Sequence, residues 1–118
     1  MNVYFGLDIA TEDSRLIIIN DKCEILGRFK TKLASVKIGS DLSRRQDSNS
    51  WGETCAKLIT QAVEKCQAKN WIPQAISITA TSGTFVITDE NGKAISDAVM
   101  YNDGTADDPI SQIGRAHV

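Results

Sequence analysis

Cysteine is scarce and badly arranged for either of its usual tasks. Three are present, Cys23, Cys55 and Cys66, an odd number without metal-ligand spacing. Cys55 and Cys66 fall on one predicted helix, about 16 Å apart along its axis, too far for a disulfide. A reducing, cytosolic setting is the expectation, and hence a cytoplasmic protein. Long apolar runs are also missing. Residues 16–19 are among the longest, so neither a membrane span nor a secretory leader fits. No block of one charge sign occurs. The net charge is −2, the isoelectric point about 5.3, and the densest basic run is Arg44-Arg45. That balance gives no footing for a nucleic-acid groove or an anionic membrane surface. What remains is a chain of 118 residues, enough for one small domain with a core.

The most informative stretch is residues 75–106. Ile76, Ile78 and Ala80 alternate as a strand does. Thr81-Ser82-Gly83-Thr84 then forms a turn of three hydroxyls and a glycine. Phe85, Val86 and Ile87 read as a second strand, Asp89-Glu90-Asn91-Gly92 as a hairpin turn, and Ala94 to Ser96 as its return. Ala98-Val99-Met100-Tyr101 is a third extended piece ending in Asn102-Asp103-Gly104. Two polar clusters thus stand at strand ends, where α/β sheets place ligand chemistry. A β-meander with merely polar turns would read the same way if either cluster stood alone.

The N-terminal part predicts three consecutive antiparallel strands. Val3-Tyr4-Phe5-Gly6-Leu7-Asp8 is apolar and ends in a carboxylate, Ile9 to Ser14 turns, and Arg15 to Ile19 returns. After a second turn at Asn20-Asp21-Lys22, the third strand covers residues 24–32. Residues 33–48 carry no clear period and read as a loop. A helix follows, with Asp47 or Ser50 as N-cap and Ser50 with Glu53 as a capping box. Trp51, Cys55, Leu58, Ile59, Ala62, Val63 and Cys66 make its apolar face, a core face rather than a cofactor box. The helix runs to about Lys69, and Asn70-Trp71-Ile72-Pro73 ends it before the strand at Ile76.

Two motifs, Gly6-Leu7-Asp8-Ile9-Ala10-Thr11 and Thr81-Ser82-Gly83-Thr84 followed by Tyr101-Asn102-Asp103, resemble those of the FGGY carbohydrate kinases, in the branch similar to D-ribulose and xylulose kinases. The resemblance implies an α/β fold: the ribonuclease H-like N-terminal domain of the actin and sugar-kinase superfamily, truncated, with three antiparallel strands, a helix, a strand and a hairpin. It implies a phosphotransferase using ATP and Mg2+ on a hydroxyl of a ketopentose or similar sugar. Asp8, holding the metal through water, and Thr11 would face the nucleotide phosphates. Thr81, Ser82 and Gly83 would line the sugar pocket, and Tyr101, Asn102 and Asp103 would close it. Asp8 could instead be a strand-end acid that caps a turn. The family's catalytic base, a later aspartate, and its adenosine pocket have no counterpart here, so the chain alone is expected to be inactive.

Several positions depart from the family pattern. Ala10 replaces a glycine, at a cost of about 1–2 kcal/mol if φ there must be positive. Glu12 and Asp13 replace small or hydroxyl residues. Thr79 and Ala80 replace an Asp-Gly pair, and Thr105 an arginine, each removing a charge-assisted bond. Those departures also suit a non-catalytic sugar-binding or regulatory relative. Another actin-like ATPase half is a third reading, against which Tyr101-Asn102-Asp103 argues. At the C-terminus, Asp107 or Asp108 with Pro109 would open a further helix. Residues 113–118, with the single His117, read as a translated sequencing adapter. The expected division is therefore a partial kinase domain at 1–112 and an artefactual tail at 113–118.

Overall fold

Alternation decides the first layer. Val3, Phe5 and Leu7 are buried while their neighbours are not, and Leu16 and Ile18 repeat the pattern on the next strand. A computed structural model describes residues 1–106 of the chain. The expectations for residues 107–118 lie outside the described residues. The described chain forms two compact units, Met1–Ala34 with Asn49–Thr81, and Ser35–Ser48 with residues 82–106.

In the first unit, β1 (Asn2–Ile9), β2 (Asp13–Asn20) and β3 (Ile25–Lys32) are antiparallel neighbours. The helix α1 (Asn49–Lys69) then leads to β6 (Ile72–Ala80), which pairs parallel to β1, giving the order β3-β2-β1-β6. Leu58, Ala62 and Cys66 of α1 close the core over Val3, Phe5, Leu7, Leu16 and Ile18, with Cys55, Ile59 and Val63 at its margin. This is the expected mixed α/β arrangement. Two details differ. The helix begins at Asn49, so Ser50 lies buried within its first turn. The strand begins at Ile72, not Ile76. Pro73 is accommodated because β6 is an edge strand and its register with β1 shifts between Val3 and Tyr4. The helix ends as expected. Asn70 takes φ 56°, its N–H donates to Gln67 O and that of Trp71 to Cys66 O at 2.9 Å, a Schellman closure with asparagine in the left-handed position.

The second unit holds β4 (Lys37–Ile38), β5 (Arg44–Gln46) and β7 (Ala98–Val99) in the order β4-β5-β7. Residues 33–48 are therefore not simply a loop. A turn joins β4 to β5, in which a Cβ on Gly39 would collide with Ser43 Oγ and Asp41 Oδ1. The strand expected at residues 85–87 is reduced to a single bridge from Phe85 to Val99, and the hairpin to a bridge from Thr88 to Ala94. Its turn forms as read, with Asp89 Oδ1 accepting from the N–H groups of Asn91 and Lys93 and Gly92 at φ 79°.

Candidate functional site

β1 and β6 run parallel, so both deliver their C-terminal ends to the same edge of the sheet. Asp8 stands there, half-buried, paired in register with Thr79 on β6 and Arg15 on β2. The Thr79 hydroxyl donates to Asp8 Oδ1 at 3.1 Å. Thr79, which the sequence shows only as a lost carboxylate, is thus a partner of the acid. Thr11 lies in the three-residue turn after β1, closed by Ala10 N–H to Asp13 O at 3.0 Å. Thr81 follows β6, its N–H donating to Ile9 O at 3.2 Å. Asp8, Thr11, Thr79 and Thr81 therefore share one sheet end.

The departures near this end prove mild. Ala10 is not among the positive-φ residues, so its Cβ carries no left-handed strain. Glu12 is exposed. Asp13 lies between Arg15 Nη2 at 3.1 Å and Lys30 Nζ at 3.2 Å, and the Arg15 contact is an ion pair too poorly aligned for a hydrogen bond. Two cations thus offset the carboxylate nearest the turn.

In the second unit the two remaining motifs meet. Phe85 and Val99 exchange both backbone hydrogen bonds, at 3.0 and 2.8 Å. One step further, Tyr101 N–H donates to Thr84 Oγ1 at 3.0 Å. Gly83 takes φ 77° and lies beneath Tyr101, whose Cβ would be 3.4 Å from an added Cβ. Glycine is required there by backbone conformation rather than by space. Ser82, Gly83, Tyr101 and Asn102 are exposed.

Asp103 is the most heavily bonded of the expected site residues. Its Oδ2 accepts from Arg44 N–H at 2.7 Å and Arg45 Nε at 2.8 Å, and its Oδ1 from Thr105 N–H at 3.1 Å and the Thr105 hydroxyl. A carboxylate offers about four lone-pair sites, and all four are used. The Thr105 hydroxyl, the Arg44 amide and the Arg45 guanidinium hold its carboxyl well below the usual range. Asp103 therefore frames its loop, tying β5 to the segment that carries Tyr101 and Asn102. Arg44 and Arg45 were not legible as site residues, because 58 positions separate Arg45 from Asp103.

All three cysteines are free, and burial pushes the Cys55 and Cys66 thiols up. Among the described residues no three metal-ligating side chains cluster, and no helix is long and apolar enough to cross a membrane.

A family model, the N-terminal domain of the FGGY family of carbohydrate kinases, matches residues 3–117. The chain belongs to the FGGY family of carbohydrate kinases. Among curated proteins it is similar to xylulose kinases from two strains of Staphylococcus epidermidis, 25% identical over 101 residues. The match covers 86% of this chain and 20% of each relative, so the chain spans about a fifth of their length. Among solved structures, Plasmodium falciparum glycerol kinase with ADP superposes with a TM-score of 0.89 at 18% identity, over 96% of this chain and 23% of that one. Xylulose kinase from Rhodospirillum rubrum gives 0.86 at 18%, over 98% and 24%. Ligand-bound xylulose kinase from Lactobacillus acidophilus gives 0.84 at 10%, over 98% and 23%. At those identities the structures speak for the fold, which is that of the N-terminal domain of sugar kinases.

Proposed function

We propose that this FGGY chain supplies the phosphate-facing turn and part of the sugar pocket of an ATP-dependent kinase acting on a ketopentose. The observation that carries the reading is the bond from Tyr101 N–H to Thr84 Oγ1, which joins two motifs 17 residues apart into one exposed polar surface. There Ser82, the bare Gly83 backbone and Asn102 offer donors and acceptors to sugar hydroxyls, with Thr81 leading into the turn. The Tyr101 ring supplies an apolar face for the sugar C–H groups. Asp103 acts by fixing that surface rather than by touching the sugar.

Asp8 and Thr11 would face the nucleotide phosphates. Mg2+ characteristically keeps several waters and takes one or two carboxylates plus phosphate oxygens. One half-buried carboxylate with a single oxygen engaged by Thr79 fits that demand. Such an ion would neutralise phosphate charge; Asp8 would hold it through water, and the Thr11 hydroxyl would face a phosphate oxygen.

A chimera tests this. Residues 3–106 would replace the matching segment of the Staphylococcus epidermidis xylulose kinase, with coupled ADP release measured on D-xylulose, D-ribulose and L-ribulose. Pentulose-dependent turnover that falls at least about a hundredfold on Asp8→Asn is expected. A folded chimera that binds pentulose without turnover would instead support a non-catalytic, sugar-binding relative, a reading favoured by Thr79 and Thr105.

A further inference from the structure

The Tyr101-Asn102 turn lies just past the end of regular pairing. The β5–β7 ladder stops at Arg45 opposite Val99, and the chain then turns through Met100 to Asp103, closed by Asp103 N–H to Met100 O at 2.9 Å. Backbone bonds flank the turn, from Met100 N–H to Arg44 O at 3.0 Å and from Gly104 N–H to Leu42 O at 2.8 Å. Leu42, which supplies that carbonyl, is exposed and holds φ 69°. Such a conformation costs a branched residue energy and persists where surrounding contacts over-determine it.

The remaining hold is a ring of side chains. Arg45 Nε donates to Asp103 Oδ2 at 2.8 Å, and Arg45 Nη2 donates to Thr105 Oγ1 at 3.4 Å. The Thr105 hydroxyl donates in turn to Asp103 Oδ1. One hydroxyl can donate and accept at once, so guanidinium, carboxylate and hydroxyl close on each other. The Asp103 side chain is 5% exposed and that of Arg45 36%. Other charges in the neighbourhood are Asp41, which lies within electrostatic reach of Arg45, and Arg44, whose backbone N–H joins the ring.

We propose that Arg45 is a positioning residue of the sugar site, setting through Asp103 and Thr105 the pose in which the Tyr101-Asn102 turn meets its ligand. The inference rests on the sugar-site reading above. It also explains how threonine is tolerated at position 105: the guanidinium arrives from β5 instead. Arg45 Nη2 already reaches the Thr105 side chain, so an arginine grown from position 105 would start beside the same carboxylate.

The test uses the 118-residue chain labelled with 15N, titrated with D-xylulose, as Arg45→Ala, Arg45→Lys and the double variant Arg45→Ala/Thr105→Arg. In the unaltered chain the sugar should shift the amides of Gly83, Tyr101 and Asn102. Arg45→Ala should keep the amide protection of Phe85 and Val99 yet bind about tenfold more weakly, the effect of one charge-assisted bond. Arg45→Lys should be intermediate, since an ammonium cannot make the two-point contact. The double variant should recover most of the loss. Unchanged binding by Arg45→Ala would overturn the assignment while leaving the sugar site standing. So would lost Phe85 and Val99 protection that the double variant does not restore, since Arg45 would then be a folding residue. No sugar-dependent shift in the unaltered chain would overturn the sugar-site reading, and the assignment with it.

Discussion

Asp8 and Asp103 are both aspartates beside a strand end, and sequence alone ranks them alike as ligand groups. Their surroundings separate them. Asp8 shares one oxygen with a threonine hydroxyl and stays half-buried, whereas Asp103 spends both oxygens on Arg44, Arg45 and Thr105. The folded-state pKa of Asp103 is depressed, so its contribution to stability is complete above the ordinary carboxylate range. It is lost as pH falls below about 4 toward the folded value. Asp103→Asn removes that titration. Denaturant unfolding should find the unaltered chain more stable than the variant at neutral pH, with the gap narrowing from about pH 4 downward. A gap that is constant in pH would show that the carboxylate is not held as described. The aspartate itself was legible from its motif. Its bonding was not, because the partners arrive from a short strand that no periodicity announced.

Among the elements, α1 was the most legible, because a helix of 21 residues writes its buried face every third or fourth position. Leu58, Ala62 and Cys66 are buried as read, although Cys55, Ile59 and Val63 only flank the core and Trp51 is half-buried. Thr54 was missed. It is buried, with its hydroxyl donating to Trp51 O at 3.1 Å and lying 3.3 Å from that of Ser14, so its polarity hid an inward-facing position. Leu58→Ala should cost about 2–5 kcal/mol by denaturant titration. Gly52→Ala should stabilise by about 0.5–1 kcal/mol, since the new Cβ meets nothing within 4 Å. A loss on Gly52→Ala would mean that the helix start is not formed as described. The short elements β4 and β5 were illegible because two or three residues carry no period, whereas β7 falls inside the extended piece read at Ala98 to Tyr101. They exist through bonds between separate segments, not through local preference.

At the scale of the whole molecule, β6 is an edge strand among the described residues, with all nine of its residues exposed. Ile76 and Ile78 register with Phe5 and Leu7 yet are 42% and 58% exposed. An unpaired edge carrying apolar side chains is a template for association. The chain should therefore self-associate with rising concentration in sedimentation velocity. Ile78→Lys should reduce that association with little loss of melting temperature, because the position is already mostly in water. Equal association by both would place the sticky surface elsewhere.

The central claim is that the Asp8 end of the sheet serves phosphate and the Gly83–Tyr101 surface serves sugar. Amide shift mapping tests it most directly, with Mg·ATP and D-xylulose added to the 118-residue chain in separate titrations. The account predicts that Mg·ATP moves the amides of residues 8–12 and that D-xylulose moves those of Gly83, Tyr101 and Asn102. Shifts from both ligands at the same residues, or from neither at these, would contradict it.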